Sequence, residues 1–299
     1  MKSILLVNLG TPAAPTASAV RQYLAEFLSD PRVVPLPRLV WLPLLHGVVL
    51  PLRAPQSAHK YAQIWTPQGS PLAVHTARMA ALLAERLERP VRYAMRYGAP
   101  AIASALTGLE DPLVVPLYPQ SAQSTTGSVL DLLPRGVPVV RGFHDHPAYI
   151  AALAASVRRH WEERGRGLML LMSFHGLPQR MAGDYATQCR TTAALLARAL
   201  GLRDAEWRVT FQSRFGYARW LQPYTEQTLI NLARDGLRRA DVICPGFVAD
   251  CLETLEEIGI RARHRFEDAG GESLELVTCL NDSPEWIAAL AEISARASP

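Results

Sequence analysis

Short apolar segments alternate along the chain with longer segments of helical pattern. Several of the short segments are apolar throughout, which is typical of strands in a parallel sheet whose two faces are covered by helices. The pattern predicts strands over residues 4–8, 91–97, 113–117, 137–142, 168–174, 208–212, 242–244 and 274–278. It predicts helices over residues 72–88, 148–164, 185–200, 224–239, 250–258 and 284–297, the last with Ser283 as its N-cap and Pro284 at its first position.

Alternating strands and helices predict an α/β fold with doubly wound parallel sheets. About four strands fall in each half of the chain, on either side of a His-Asp-His connection at residues 144–146. We therefore expect two similar lobes, residues 1–146 and 147–299, with a cleft between them. Ligands of such folds bind beyond the carboxyl ends of the strands, so the residues that directly follow strands are the candidates for chemistry.

Composition narrows the class of protein. With 49% apolar and 19% charged residues, the 299-residue chain can bury a large core and is not a disordered protein. A net charge of +4 without a Lys/Arg run argues against nucleic acid, although it suits an acidic small molecule or an anionic membrane. Neither GxGxxG nor GxxxxGK[ST] is present, so a dinucleotide or a nucleoside triphosphate is poorly supported.

The cysteines and the apolar segments bear on compartment. Four cysteines lie far apart without a CxxC pair, which predicts reduced thiols in a cytosol instead of disulfides or a structural zinc. The apolar start of the chain is too short for a signal-peptide core and is typical of a first buried strand. Residues 39–52 form the most apolar stretch, but Pro43, Gly47 and Pro51 interrupt it, so it cannot span a bilayer as a regular helix.

His175 is the strongest single candidate for chemistry. It ends an apolar strand, and Gly176 beside it permits close approach of a ligand. A structural histidine with satisfied hydrogen bonds is the competing interpretation, and the strand-end position makes the two about equally favoured.

Glu253 and Glu257 form the second candidate. They lie four residues apart near the start of a helix that follows a buried strand, so they share one helix face. By composition alone, acids that compensate the helix dipole on a solvated face are the favoured interpretation. Alternatively, a His and a Glu from neighbouring strand ends bind a divalent cation or relay protons, and this pair suits Fe²⁺ or Co²⁺ better than Ca²⁺.

Weaker candidates also follow strands. The Ser and Thr residues at 124–126 can donate hydroxyls to an anion or simply cap a helix. An aromatic residue at position 220 lines a pocket or packs in the core. His144 and His146 form an HxH pair that lacks a third partner, and we interpret it as a surface turn.

Taken together, these motifs resemble the ferrochelatase family from near residue 4 to near residue 290. Any one of them is modest evidence, whereas so many in the same order are highly specific. The motifs are LLVNLGTP at 5–12, GSPL at 69–72, MRYG at 95–98, PLYPQ at 116–120, SFHGLP at 173–178, FQSRFG at 211–216 and CPGF…DCLETL at 244–255.

The resemblance implies two flavodoxin-like (Rossmann-like) lobes with a porphyrin cleft between them. It implies a lyase that inserts Fe²⁺ into protoporphyrin IX, gives protoheme with release of two protons, and completes heme biosynthesis. His175 and Glu253 then face each other on the metal-entry side, with His175 as proton acceptor and Glu253 as ligand of the incoming ion. The remaining matched residues contact the porphyrin: Leu9 near Arg96 and Tyr97 on its opposite face, Arg53, Tyr61 and Ser70 at the propionates, and Trp220 in the cleft lining.

Some positions depart from the family pattern. Members with an iron–sulfur cluster hold it by one internal Cys and three in a C-terminal extension, whereas this chain has Gln123 and stops at Pro299, so we expect no cluster and no permanently bound cofactor. Cys251 stands where other members have His. Some members have a row of acidic residues at four-residue spacing. In this chain the corresponding positions hold Glu253, Glu257 and then Arg261, which leaves a second metal site in doubt. Leu9 and its neighbours lack the Tyr of members that use coproporphyrin, which favours protoporphyrin.

Residues 36–53 fall where the family has an apolar lip over the cleft. We expect the lip to admit porphyrin from a membrane surface, with Arg53 meeting a propionate, in a cytoplasmic monomer with peripheral contact to the inner face of the membrane. The alternatives are a related chelatase that uses coproporphyrin or inserts cobalt or nickel, and a two-lobed tetrapyrrole-binding protein without catalytic activity.

Overall fold

The computed structural model describes residues 2–216 and 218–296, which fall into two compact units. The first unit comprises residues 2–117, 122–141 and 294–296, and the second comprises residues 118–121 and 142–293. The predicted lobe boundary between residues 146 and 147 stays a prediction. Five residues of the predicted lobes lie outside the described residues, namely 1, 217 and 297–299. The end of the helix predicted over 284–297 is among them.

The first unit is built on a parallel sheet of three strands in the order β2-β1-β3. The strands are β1 Ser3–Gly10, β2 Val91–Tyr97 and β3 Pro112–Pro116. Ile4 pairs with Val91 on one side and with Leu113 on the other. The side chains of β1 are buried over most of its length, as its uniformly apolar sequence predicts for a strand covered on both faces.

The second unit contains a parallel sheet of four strands in the order β5-β4-β6-β7. The strands are β4 Met169–His175, β5 Trp207–Gln212, β6 Arg239–Ile243 and β7 Ser273–Leu276. Strand β4 therefore lies between β5 and β6, and all three end at the same edge of the sheet. The two sheets confirm the predicted α/β class with parallel sheets flanked by helices.

Helices connect the strands within both units. The predicted start of the last helix is confirmed, because the Trp286 amide donates to the Ser283 hydroxyl at 3.4 Å. The helices are α1 Ala17–Ser29, α2 Arg38–Leu44, α3 Leu50–Ile64, α4 Pro71–Leu87, α5 Ile102–Leu106, α6 Ser128–Leu130, α7 Pro147–Arg164, α8 Tyr185–Leu200, α9 Thr225–Arg234, α10 Leu252–Leu255, α11 Arg263–Asp268 and α12 Pro284–Arg296. Wider π-helical turns occupy Leu45–Val49, Gln123–Gly127 and Glu257–Ala262.

The strand predicted over residues 137–142 is wrong. This segment makes a single parallel bridge, in which Val139 pairs with Val114 of β3. The amide of Val114 donates to the Pro138 carbonyl and the amide of Val140 donates to the Val114 carbonyl. Pro138 has no N–H to extend the ladder, so the described residues contain three strands in the first sheet where about four were expected.

Two predicted helices end elsewhere than the pattern suggested. The helix predicted over 224–239 ends at Arg234, because Gly236 has φ of +95° and β6 already begins at Arg239. The helix predicted over 250–258 is a single short turn, α10, followed by the π-helical turn Glu257–Ala262. Such turns widen the backbone at positions that apolar periodicity does not reveal.

Helical conformation runs from Arg38 to Ile64, a segment for which the sequence predicted no helix. Pro51 has no N–H to donate one turn back, and the wide turn Leu45–Val49 directly precedes it. Trp41 and Leu45 pack with Leu28 of α1, and the Trp41 indole donates to the Leu28 carbonyl at 2.7 Å. Among the described residues, no helix has the length and apolar character needed to cross a bilayer.

Substitution of Gly10 tests the close approach of β1 and β2 in the first sheet. Its φ is +118°, and an added Cβ would lie 1.9 Å from the Tyr97 carbonyl oxygen of β2. Gly69 has nearly the same φ, +120°, but an added Cβ would meet nothing within 4 Å. We expect Gly10→Ala to lower the free energy of unfolding by more than ~3 kcal/mol, and Gly69→Ala by about 1 kcal/mol. Melting temperatures within about 2 °C of each other would contradict the clash at Gly10.

Candidate active site

Strand β4 carries His175 at its carboxyl end, where the imidazole is half-buried. The Nδ1 atom lies 2.6 Å from the carbonyl oxygen of Gly176. A carbonyl oxygen only accepts, so Nδ1 carries the hydrogen and donates it, which leaves the lone pair of Nε2 free in the neutral ring. The Tyr185 hydroxyl donates to the His175 carbonyl at 2.9 Å and holds the backbone of the same residue.

The residue after His175 has to be glycine. The Gly176 amide donates to the Gln212 carbonyl at 2.8 Å, which brings the ends of β4 and β5 together. An added Cβ would lie 2.7 Å from that carbonyl oxygen and 3.3 Å from the Trp220 ring. The sequence predicted a close approach at Gly176, and the approach seen is that of β5 and Trp220.

Glu253 lies on the neighbouring strand end, in the connection that follows β6. It is the second residue of α10 and is half-buried. The carboxylate of Asp250, which is buried, accepts from the Thr254 hydroxyl at 2.9 Å and from the Asn281 amide at 2.7 Å. These contacts fix the backbone on both sides of Glu253. Asp250 and Asn281 could not be recognised as a pair from the sequence, because they lie 31 residues apart and leave no local pattern.

Gln212 links the two candidate residues. It is the last residue of β5, pairs in register with His175, and is buried. Its side-chain amide donates to the Glu253 carbonyl at 2.6 Å and its side-chain oxygen accepts from the Ser173 hydroxyl at 2.6 Å. The sequence marked Gln212 only by its place at a strand end and in the FQSRFG motif at 211–216, and neither signal indicated this contact.

Glu257 is held by a second contact from the end of β5. The backbone amide of Ser213 donates to one carboxylate oxygen at 2.8 Å, and the Ser213 hydroxyl donates to the other at 2.6 Å. The Glu257 side chain is only 16% exposed. The interpretation of this residue as an acid on a solvated face is therefore wrong.

Arg261 provides a cation beside these acids. Its guanidinium lies 3.1 Å from the Glu226 carboxylate and 3.5 Å from the carboxylates of both Glu256 and Glu257. A cavity of about 480 Å³ opens next to this cluster, between the end of β5, the start of α9 and the π-helical turn. No group of three or more His, Cys, Asp or Glu side chains placed to hold a metal ion occurs in the part of the chain that the structure describes.

Trp220 lies beside His175 in the second unit. Its backbone bridges Pro178, and the Leu221 amide donates to the Leu177 carbonyl at 2.9 Å, so the ring packs against Gly176. The indole N–H is buried and has no hydrogen-bond partner among the described residues. The structure places this aromatic against the residue that follows His175, whereas its predicted place in the cleft lining stays a prediction.

The porphyrin candidates of the first unit include four residues around β1, α3 and α4. Leu9 is half-buried near the end of β1, and Ser70 directly precedes α4, where its hydroxyl accepts from the Thr11 hydroxyl at 2.8 Å. Arg53 and Tyr61 lie on α3, and burial lowers the pKa of the Arg53 guanidinium. The structure brings Leu9 and Ser70 to the carboxyl edge of the first sheet.

Arg96 and Tyr97 belong to a buried network of ion pairs and hydrogen bonds around Asp30. The Arg96 guanidinium pairs with the Asp30 carboxylate and also donates to the Ser128 carbonyl at 2.9 Å. The Tyr97 hydroxyl donates to Asp30 at 2.9 Å, and its side chain is 1% exposed. Burial raises the pKa of Tyr97 well above its ordinary value. Their predicted porphyrin contacts are untested, and Asp30 is a partner that the sequence analysis missed.

Solved structures of metal chelatases share this fold. CbiX, the terminal enzyme of siroheme biosynthesis in denitrifying bacteria, matches with a TM-score of 0.52 at 18% identity over 99% of both chains. SirB from Bacillus subtilis, solved with Fe³⁺, matches with a TM-score of 0.53 at 14% identity over 100% of this chain and 96% of that one. At these identities the likeness shows the fold alone, two parallel sheets flanked by helices.

Relatives at much higher identity show the family to which the chain belongs. The ferrochelatase family model matches residues 1–298. A ferrochelatase of Polaromonas sp. (strain JS666) is 54% identical over 98% of this chain and 86% of its own length, and one of Azoarcus sp. (strain BH72) is 57% identical over 96% and 85%. The chain belongs to the ferrochelatase family. It is an enzyme, a metal chelatase of the lyase class, as the motifs predicted.

Proposed function

We propose that this enzyme inserts Fe²⁺ into protoporphyrin IX and releases protoheme and two protons. The observation that supports it most directly is the contact between Nδ1 of His175 and the Gly176 carbonyl, which leaves Nε2 to act as a base at the same sheet edge where Glu253 offers a carboxylate. Family membership supplies the substrate class.

The reaction needs both groups. A free porphyrin holds two pyrrole N–H hydrogens, and both must leave as protons when Fe²⁺ takes their place, so that the neutral macrocycle becomes a neutral metal complex. Nε2 of His175 accepts a pyrrole proton, since imidazole exchanges protons readily near neutral pH. The Glu253 carboxylate holds the incoming cation and, once it has passed the ion on, is free to take the second proton.

The family resemblance assigns porphyrin contacts to further residues, which we include in the proposal. In this proposal Leu9 touches the face of the porphyrin ring. Tyr97 pairs with Gly10 of β1, and together with Arg96 it supports Leu9 on the side away from the porphyrin. Arg53 meets a propionate, because a guanidinium pairs with a carboxylate through charge-assisted hydrogen bonds. Tyr61 and Ser70 complete the propionate contacts, and Trp220 lines the pocket next to His175.

We propose that the enzyme works without an iron–sulfur cluster or another resident cofactor, with Fe²⁺ as substrate only. The position that matches the cluster-ligating Cys of other members holds Gln123, and its side-chain oxygen accepts from the Arg32 guanidinium, which also pairs with Asp131. Gln123 is therefore part of a polar network in the first unit.

Replacement of His175 tests the proposed reaction. In anaerobic assays with Fe²⁺ and protoporphyrin, followed by the shift from free-porphyrin to metalloporphyrin absorption, we expect His175→Ala to lower kcat at least ~100-fold because the base is lost. Porphyrin affinity, measured by fluorescence quenching, should change little. His264→Ala, at an exposed histidine, is the matched control and should retain full activity.

Two outcomes would count against different parts of the proposal. Absence of turnover by the wild-type enzyme would overturn the reaction, whereas full turnover by His175→Ala would overturn the role of the histidine. The same assay with coproporphyrin, and with Co²⁺ or Ni²⁺, should give lower kcat/KM than protoporphyrin with Fe²⁺.

An exposed apolar surface in the first unit suits contact with a membrane. Val40, Leu44, Val48 and Leu52 lie four residues apart along the helical segment Arg38–Ile64, and all are exposed. Leu39 beside them is 92% exposed. We propose that this apolar stripe rests on the inner face of the membrane, since an apolar surface and a positive net charge together favour an anionic lipid surface. The proposal treats the enzyme as otherwise cytoplasmic and monomeric.

Sedimentation with phosphatidylglycerol vesicles tests the apolar stripe. We expect Leu39→Glu/Leu52→Glu to bind vesicles at least ~10-fold more weakly than the wild-type protein, because it puts two charges where apolar side chains enter the lipid. The control Leu82→Glu/Leu132→Glu alters two exposed leucines outside the stripe and adds the same charge. Equal binding by the two variants would contradict the membrane contact.

A further inference from the structure

We propose that Gln212 and Ser213 are positioning residues that hold Glu253 in place relative to His175. They do so by fastening two points of the Glu253 segment, one turn apart, to the end of β5. We call this pair the β5 clamp. The inference rests on the proposed function, which makes His175 and Glu253 the reacting pair.

The first half of the β5 clamp is fixed to the strand that carries His175. Gln212 pairs in register with His175, and its carbonyl oxygen accepts from the Gly176 amide at 2.8 Å. The Ser173 hydroxyl donates to its side-chain oxygen at 2.6 Å. Gln212 is therefore immobile with respect to β4 on its backbone and on its side chain.

The orientation of the Gln212 amide follows from its partners. The side-chain oxygen lies near the Ser173 hydroxyl and the Cys244 thiol, which are both donors, at 2.6 and 3.5 Å. The side-chain nitrogen lies 2.6 Å from the Glu253 carbonyl oxygen, which only accepts. The reverse orientation would place two oxygens against each other, so the donor of Gln212 points at Glu253.

In the second half of the β5 clamp, Ser213 binds Glu257, one helical turn after Glu253. Ser213 has φ of +62°, a left-handed conformation that costs a serine free energy. In this conformation both its amide and its hydroxyl donate to the Glu257 carboxylate, at 2.8 and 2.6 Å. Each oxygen of Glu257 thus has a donor from Ser213, and Arg261 neutralises its charge from 3.5 Å away.

The helix changes its winding between the two contacts. Helix α10 has four residues and continues through the π-helical turn Glu257–Ala262 directly into α11, so helical conformation runs from residue 252 to residue 268 and widens at Glu257. The β5 clamp supplies tertiary contacts at residues 253 and 257, from the last residue of β5 and from the residue that follows it. The geometry of the reacting pair therefore depends on β5, although no residue of β5 takes part in the chemistry.

Hydrogen exchange measured on the free enzyme tests the clamp without reference to activity. Gln212→Leu and Ser213→Gly should each raise amide exchange in residues 251–262 and leave β4 protected. Ser213→Gly is informative because glycine accepts φ of +62° and keeps the amide donor, so the variant removes only the hydroxyl. The control Ser156→Ala removes a serine contact to the Thr278 carbonyl elsewhere in the second unit. Unchanged exchange in residues 251–262 would overturn the clamp.

Double-mutant cycles test whether the clamp acts through Glu253. We expect Gln212→Leu to lower kcat/KM for Fe²⁺ about 10-fold or more while porphyrin affinity stays within about twofold. In a Glu253→Gln background the same substitution should have no further effect, because the group that it positions is gone. Ser213→Gly and Glu257→Gln should be non-additive in the same way. Effects that multiply, or an equal loss of porphyrin affinity, would overturn the positioning role.

The wild-type assay separates the two proposals. If the wild-type enzyme shows no turnover with Fe²⁺ and protoporphyrin, the proposed function fails, and hydrogen exchange alone decides whether Gln212 and Ser213 hold the Glu253 segment. If the wild-type enzyme is active and the cycles are additive, the proposed function stands and the clamp fails.

Discussion

The hydrogen bond from Nδ1 of His175 to the Gly176 carbonyl is the interaction on which the rest of the site depends. A histidine serves as a base only through a nitrogen that lacks a hydrogen, and this bond assigns the hydrogen to the inner nitrogen. The carbonyl is available in that place because Gly176 lets β4 turn tightly against β5 and Trp220. A side chain at position 176 would collide with β5, so the glycine fixes the tautomer of its neighbour through the backbone alone.

Parallel pairing extends this constraint across the sheet. Strand β4 lies between β5 and β6, so the residues that follow all three strands meet at one edge. β4 contributes His175, the connection after β6 contributes Glu253, and β5 contributes the contacts between these two segments. In the first unit the same principle brings Leu9 and Ser70 to the end of β1, while the Asp30 network holds Arg96 and Tyr97 in the core.

Much of the fold could be predicted because buried parallel strands are apolar throughout. Residues 91–97 and 185–200 were placed at their observed bounds as a strand and a helix. Proline caused the main errors in both directions. Pro138 reduced an apolar segment to one bridge, and the prolines between Arg38 and Ile64 concealed a helix that wide turns and packing against α1 sustain.

The candidate site was predictable only as far as strand ends reveal it. His175 and Glu253 follow strands and carry reactive groups, but position and chemistry left a structural histidine and a solvated acid as competing interpretations, and the family resemblance decided between them. Gln212, Ser213 and Asp250 are defined by contacts with residues distant in sequence, and a single sequence carries no record of such pairs. Glu257 shows the limit most clearly, because composition favoured a solvated acid, whereas its carboxylate is held by the left-handed turn at Ser213.

The tautomer of His175 tests the central claim most directly. Long-range ¹H–¹⁵N correlation spectra of the histidine-labelled enzyme, recorded where the imidazole is neutral and assigned by the signals lost in His175→Gln, distinguish a nitrogen that carries hydrogen from one that does not. The account predicts a protonated Nδ1 and an unprotonated Nε2 for His175. A protonated Nε2 with an unprotonated Nδ1 would contradict it, because the base would then face the Gly176 carbonyl instead of the substrate.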